Sequence, residues 1–334
     1  MPARRYNLHG VSVQVECDGG VLRESVEGLL RAFANAPLSG NGDSRTWMVF
    51  ARSVADAGEL PRARSAAAGL AFEQPRVGLD GSSWGYAVWR DRGRTIIEVS
   101  DRGLVVVEPE RGCAEVWAVA PERWGAEERE GLVFLLASEV LRASGLYPLH
   151  AAAVERDGRA VLILGSSGAG KSTSLLSLMR AGWRCLSDDH PLICDTADGP
   201  RVLPWPARIE LTAETARLFG GLGDMRARRG ERKLWLYPEE CEAGVASAAA
   251  APALLLFPKV VDWPVSSVEA VSSRFALEEL LRLGMVVVDR KVAAHQFSLL
   301  ARLARGAACA RVFFGSDVER LPTLVDGLLH TAAA

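Results

Sequence analysis

Residues 160–189 read AVLILGSSGAGKSTSLLSLMRAGWRCLSDD. A short apolar run, 160–164, enters the loop Gly165-Ser166-Ser167-Gly168-Ala169-Gly170-Lys171-Ser172, and that loop opens into a helical pattern from Thr173 onward. Strand, glycine-rich loop and helix in this order form the context in which GxxxxGK[ST] cradles phosphate. Glycines let backbone N–H groups converge on phosphate oxygens in conformations that a side chain forbids, and the helix turns its positive end to the same anion. ATP is therefore the expected nucleotide, held by residues 165–173, with Lys171 reaching the β and γ phosphates. The Ser172 hydroxyl is expected on Mg2+, the ion that neutralises those phosphates during transfer. Only four of the 39 basic residues are lysines, so lysine stands where arginine would not serve. The loop position of Lys171 is such a place, because a guanidinium is too bulky for it.

Asp188 and Asp189 follow Lys171 by 17 and 18 positions, after the strand-like run 183–187. A helix over 172–180 rises roughly 14 Å and a five-residue strand returns about 16 Å, so the two lengths nearly cancel. With Gly182 as the turn and a right-handed crossover, the second strand is expected beside the P-loop strand, delivering Asp188 to the level of the phosphates. Neighbouring strand side chains point to opposite faces, so both carboxylates serve one site only if the chain leaves the sheet there. Pro191 provides that exit. A carboxylate turned from the cradle, or cut off from it by an intervening strand, would leave only nucleotide binding. An aspartate beside Mg2+ is expected to keep a low pKa, and a loose transition state asks little of such a base. Water-splitting P-loop ATPases carry the metal carboxylate much farther along the chain, so the short spacing argues for a kinase.

The stretch 150–189 resembles the catalytic domain of HPr kinase/phosphorylase and its HPr-kinase-related relatives, themselves similar to phosphoenolpyruvate carboxykinases. In that family a histidine opens the domain 21 residues before the P-loop lysine and the acidic pair lies 17 after it. His150, Lys171 and Asp188 meet both spacings. The resemblance implies that Asp188 takes the proton from an acceptor serine and that Asp189, with Ser172, holds Mg2+. His150 is either part of the site or an ordered structural residue. The family's glycine-bearing Glu-Ile-Arg-Gly motif is replaced here by Pro206-Ala207-Arg208-Ile209-Glu210-Leu211. Arg208 either supplies positive charge to the transition state or is a surface arginine. The missing glycines, and Ser166 where an acidic residue often stands, count against phosphorolysis and against HPr itself as substrate.

The fold class expected is α/β: a C-terminal P-loop kinase domain over 146–334, and an N-terminal antiparallel α+β domain over 1–145. The N-terminal region alternates at Val11, Val13, Val15 and Cys17, has helical patterns over 21–33 and 126–143, and strand signals over 46–51, 83–90, 94–99, 104–107 and 113–118. It is similar to the N-terminal segments of kinase-related proteins found with peptide-modifying enzymes, including lasso-peptide tailoring kinases. Residues 38–44 read as a loop. Trp84 and Trp89 read as packing on both sides of one sheet. After Asp189 come a hairpin over 192–205, a glycine-rich basic segment over 220–233 that either closes on phosphates or is a solvated surface, and an alanine-rich linker over 243–253. Strands over 254–257 and 310–314 and helices over 274–283, around Leu299–Leu300–Leu303, and over 318–329 complete it.

Composition excludes several classes. With 49% hydrophobic and 24% charged residues and a net charge of −2, the chain reads as two globular domains. No apolar run of membrane-spanning length and no signal-peptide core are found, so the expected location is the cytoplasm, off the membrane. The six cysteines lack metal or disulfide spacing and are expected as buried free thiols. No basic helix with base-stacking aromatics points to nucleic acid. His9, His190, His295 and His330 have no partner at ligand spacing and are read as structural. The expected activity is transfer of the γ-phosphoryl group to a serine or threonine of a peptide or small-protein acceptor, with a small-molecule hydroxyl and a nucleotide-controlled switch as alternatives. The resemblance makes a homo-oligomer a candidate state, since HPr kinases assemble into hexamers.

Overall fold

The computed structural model describes residues 3–34, 46–74, 85–219, 228–229, 234–285 and 288–331. It is a mixed α/β structure with several sheets and, among the described residues, seven α-helices. The chain divides into two compact units, Met1–Leu146 with Val286–Ala293, and Tyr147–Met285 with Ala294–Ala334. A single boundary at 145/146 does not anticipate the segment 286–293 in the first unit. The expected loop over 38–44 and Trp84 lie outside the described residues.

The first unit contains β1 (Arg4–Leu8), β2 (Val11–Cys17), α1 (Gly20–Leu29), β3 (Trp47–Val54), β4 (Gly69–Gln74), β5 (Tyr86–Asp91), β6 (Arg94–Val99), β7 (Gly103–Glu108), β8 (Cys113–Val119) and α2 (Ala126–Ala143). Its eight-stranded sheet runs β1-β2-β3-β8-β7-β6-β5-β4. The sheet is mixed and not purely antiparallel as expected: β2 and β3 are parallel, and so are β3 and β8. The reason is topological. Helix α1 carries the chain from one end of β2 back to start β3 in the same direction, and the meander β4 to β8 returns its last strand beside β3. Trp89 packs under the Arg64 guanidinium, 4.1 Å from its ring centre.

The second unit holds β9 (Tyr147–Pro148), β10 (Ala151–Arg156), β11 (Arg159–Leu164), α3 (Lys171–Arg180), β12 (Arg184–Ser187), β13 (Leu192–Thr196), β14 (Gly199–Leu203), β15 (Ile209–Leu211), α4 (Ala213–Leu218), β16 (Arg228–Arg229), β17 (Leu234–Leu236), β18 (Ala251–Val260), β19 (Ser267–Ala270), α5 (Ser273–Gly284), most of α6 (Arg290–Gly306), β20 (Ala308–Phe314) and α7 (Leu321–Thr331). Its main sheet runs β12-β10-β11-β18-β20-β19, with two small three-stranded sheets, β14-β13-β9 and β15-β17-β16. Strands β11, β18 and β20 are parallel, and β10 lies antiparallel between β11 and β12. The expectation that the second strand lies directly beside the P-loop strand is therefore corrected: one strand intervenes.

That intervening strand explains its own sequence. Ala151, Ala152, Ala153 and Val154 are fully buried, and α3 packs across β10 on its way from β11 to β12. Small side chains let a helix cross a strand closely, and Leu175, Leu176, Leu178 and Met179 fill the same core as Ala152 and Val154. Ser177 on α3 donates a 2.6 Å hydrogen bond to the Val318 carbonyl, fixing the helix at its other flank.

The alanine-rich segment expected as a linker is structural. Val245 and Ala250 form bridges with Cys185 and Val202, Ala246 and Ala250 are buried, and β18 starts at Ala251. Of the basic segment 220–233, only the backbone of Arg228–Arg229 is described, in β16; Arg226, Arg232 and Lys233 lie outside the described residues. All six cysteines are free, but only Cys185, Cys194 and Cys241 are buried; Cys17, Cys113 and Cys309 are half-buried. Among the described residues, no helix is long and apolar enough to cross a membrane.

Candidate active site

The anion cradle follows from three glycines. Gly168 and Gly170 sit at φ of 79° and 100°, backbone that an L side chain rarely adopts, and a Cβ on Gly165 would come within 2.8 Å of the Ala169 Cβ. Gly170 caps α3, so the helix starts at Lys171 with its first N–H groups aimed into the loop. Glycine at these three positions lets the loop backbone close around an anion at the helix N-terminus.

Lys171 is nearly buried, at 9% exposed. Its Nζ donates to the carbonyls of Gly165 (2.8 Å) and Ser166 (3.3 Å) and lies 3.2 Å from His150 Nε2. His150 Nδ1 in turn is 2.8 Å from Asp189 Oδ1. With its proton on Nδ1, neutral His150 accepts from Lys171 while donating to Asp189; protonated, it strengthens the Asp189 pair and opposes Lys171. His150 thus belongs to the cluster.

Strand β12 ends at Ser187, and the chain leaves the sheet at the acidic pair. The His190 N–H donates to Ser187 Oγ at 3.0 Å, and the Ala151 N–H donates to the Asp189 carbonyl at 3.0 Å. Both carboxylates thereby point to one region, at the end of the sheet where the P-loop lies. Asp188 Oδ2 accepts from Ser172 Oγ at 3.3 Å and from the Glu210 N–H at 3.1 Å. Strand β10 intervenes in the sheet but does not cut the carboxylate off from the cradle, because Asp188 lies beyond the end of β12 and meets the first turn of α3 directly.

The structure adds partners to the expected residues. Ser172 meets Asp188, besides the metal role expected of it with Asp189. Asp189 lies between two histidines, His150 and His190, the latter with Nδ1 3.0 Å from Asp189 Oδ2. His190, read as structural from its spacing, therefore faces the site. Arg208 pairs with Glu210 at 3.0 Å, and the same Glu210 supplies the N–H that holds Asp188. The guanidinium is thus occupied one residue pair away from the carboxylate. The Thr173 hydroxyl shares a 3.0 Å hydrogen bond with Thr215, both buried, which leaves Thr173 its backbone N–H for an anion.

The two aspartates are driven to opposite sides of the usual carboxylate range. Burial pushes the Asp188 carboxyl up to about 7; the Glu210 N–H and the Ser172 hydroxyl act downward, and the Asp189 charge adds to the rise. The rise follows from its burial, since it is only 6% exposed; the low pKa expected for it applies to an aspartate beside Mg2+. What burial Asp189 has also acts upward, but the His150 hydrogen bond and the positive charge of the surrounding His190, His150 and Lys171 groups hold it well below the usual range. Adjacent carboxyls with pKa values pushed apart divide into one that exchanges a proton and one that stays charged.

A pH-dependent stability follows. Asp188 has a folded pKa of about 7, raised from an ordinary 3.8, so its stabilising contribution is complete below pH 4 and is lost as pH rises through 7. The loss is about 4 kcal/mol, because each tenfold change in proton affinity is worth ~1.4 kcal/mol. Thermal unfolding of Asp188→Asn and of the native chain is expected to diverge in favour of the variant across pH 4–7 and to run parallel above pH 8. A difference that stays constant from pH 4 to 8 would contradict the raised pKa. Asp189 acts in a separate window, since its depressed pKa costs stability only as pH falls below about 4.

The donors suit a hard cation. The Ser172 hydroxyl and the Asp189 carboxylate, whose side chain is 48% exposed, are oxygen donors of the kind that holds Mg2+, while Asp188 Oδ1 is buried without a hydrogen-bond partner. Among the described residues, the histidine, cysteine and acidic side chains close enough to hold a metal as a trio are His150, Asp189 and His190.

A family model described as "SynChlorMet cassette protein ScmC" matches residues 132–219, well short of half of the chain. No curated protein matches. Among solved structures, the Hpr(Ser) kinase/phosphatase from Coxiella burnetii is similar at 16% identity, with 56% of this chain and 95% of that chain covered and a TM-score of 0.28. A likeness that loose carries no argument, and the functional reading rests on the site itself.

Proposed function

We propose that this chain is a kinase that moves the γ-phosphoryl group of ATP to a serine or threonine hydroxyl of a peptide or small protein. The reading is carried by one observation: a buried carboxylate, Asp188, joins the first turn of the P-loop helix while keeping one oxygen free of partners. A protein that only binds nucleotide has no use for a second acceptor there, and burying one costs stability.

In this reading the loop N–H groups of residues 165–173 hold the phosphates, and Lys171 supplies positive charge at the loop mouth. Ser172 and Asp189 would hold Mg2+, Asp189 through the lone pairs that its histidines leave open. Bound there, the ion neutralises charge on the phosphate oxygens. The acceptor oxygen bonds to the γ phosphorus as the bond to the bridging oxygen breaks, and the electron pair stays with ADP. The hydroxyl proton passes to Asp188. His150 and His190 keep Asp189 ionised and oriented.

The test is incubation with γ-labelled ATP, Mg2+ and candidate peptides encoded beside the gene, followed by mass spectrometry. The expected result is one phosphate on a serine or threonine. Label released only to water would make the protein a hydrolase, and ATP binding without transfer to any acceptor would make it a nucleotide-controlled switch.

A further inference from the structure

Strand β18 ends at Val260 against the P-loop. A Cβ on Gly170 would lie 3.4 Å from Val260 Cγ2, 3.9 Å from Pro258 Cβ and 4.0 Å from Phe314 Cδ1, so the ends of β18 and β20 form one wall of the phosphate cradle. Past that wall the surface changes character. Of the seven exposed large hydrophobics among the described residues, three fall within six positions: Val260 at 58%, Trp263 at 50% and Val265 at 49%. Single exposed apolar residues need no explanation, but a cluster beside a binding loop does.

The loop that carries the cluster is fixed. Val261 N–H donates to the Phe314 carbonyl and Ser316 N–H to the Trp263 carbonyl, each at 3.1 Å. Ser266 donates twice to Asp317 Oδ1, from its N–H at 2.7 Å and its hydroxyl at 2.6 Å, and Gly315 N–H donates to Ser266 Oγ at 2.9 Å. Gly315 is needed for this fit, since a Cβ there would lie 2.6 Å from the Trp263 carbonyl. The indole lies 5.4 Å from the Phe313 ring, centre to centre. An indole held rigidly and left half in water is a pre-formed stacking surface.

We propose that Val260 and Trp263 seat the purine ring of the nucleotide, a proposal that rests on the ATP reading above. Three residues of chain span at most about 11 Å, so Trp263 lies within a nucleoside's reach of the cradle wall. Parallel strands β11, β18 and β20 all end on this side, where open α/β sheets take their ligands. Val260 borders the cradle at Gly170 and exposed Trp263 follows it by three positions, which favours the base of the same ligand over a residue of the acceptor. Stacking on an aromatic ring supplies affinity for any base with a π face.

Calorimetric titration with Mg·ATP and with inorganic tripolyphosphate separates base from phosphates. Trp263→Ala is expected to weaken ATP about 10- to 100-fold and leave tripolyphosphate unchanged, with Trp263→Phe recovering most of the affinity. Unaltered thermal unfolding of both variants is expected from the exposure of this side chain. The proposal is overturned if Trp263→Ala leaves ATP affinity intact, weakens both ligands equally, or raises only the KM of the acceptor peptide. A native chain that binds tripolyphosphate as tightly as ATP also overturns it, and leaves the cradle standing. A native chain that binds neither removes the ATP reading itself, and the seat with it.

Discussion

Lys171→Ala will abolish ATP binding and phosphoryl transfer together. The ammonium is nearly buried and anchored on the Gly165 and Ser166 carbonyls, so truncation removes the positive charge from the loop mouth and leaves the Gly165 carbonyl without its donor, while Ser166 keeps the Ala169 N–H. Losing one partner of a desolvated charged contact costs about 2–5 kcal/mol, which is roughly 30- to several-thousand-fold in affinity. Lys171→Arg will not rescue it, because a planar fork does not fit a pocket shaped for a compact ammonium. Calorimetry with Mg·ATP checks both variants, and circular dichroism checks that they fold. ATP affinity within threefold of native for Lys171→Ala would remove the lysine from the site.

Asp188→Asn will separate binding from transfer. The amide oxygen still accepts from Ser172 and from the Glu210 N–H, so the first turn of α3 and the cradle keep their geometry. The side chain can no longer take a proton, and general-base loss is worth about 10²–10⁴-fold in rate. The same substitution raises stability at pH 8, since it removes a carboxylate that must ionise in a buried place. A variant both steadier and inactive is what a strained functional residue leaves behind when it is neutralised. A structural aspartate gives the opposite pair of results, lower stability and preserved transfer.

The P-loop was legible because its chemistry is local: glycine backbone, a lysine and a hydroxyl lie within eight positions, and strand and helix flank them. The acidic pair was legible by length, because a helix out and a strand back return the chain to its starting level. Strand β10 was not. Ala151, Ala152 and Ala153 carry little strand preference, and they are small because α3 crosses them, a contact between segments about 25 residues apart. Missing that strand is what placed β12 one position too close to β11. The segment 243–253 misled in the same way, since alanines that read as low complexity are at Ala246 and Ala250 chosen for burial.

Long-range partners explain the remaining misses. His190 has no ligand-spaced neighbour, yet it shares Asp189 with His150 from 40 positions upstream, a pairing made only when β9, β10 and β13 bring those turns together. Glu210 acts through a backbone N–H, for which no side-chain pattern exists. The sequence does hold one signal of it: the segment 206–211, singled out only through a resemblance, is the segment that touches Asp188. The raised pKa of Asp188 follows from burial, which the spacing alone does not disclose.

The central claim is that the carboxylate at position 188 receives the acceptor's proton at the phosphate cradle. Rapid-quench single turnover at saturating Mg·ATP, with a peptide found to be phosphorylated by the native chain, tests it by comparing native protein with Asp188→Asn. The account predicts full nucleotide occupancy in both and phosphopeptide formation slowed at least about 100-fold in the variant. Phosphopeptide formed by Asp188→Asn at the native rate would contradict it.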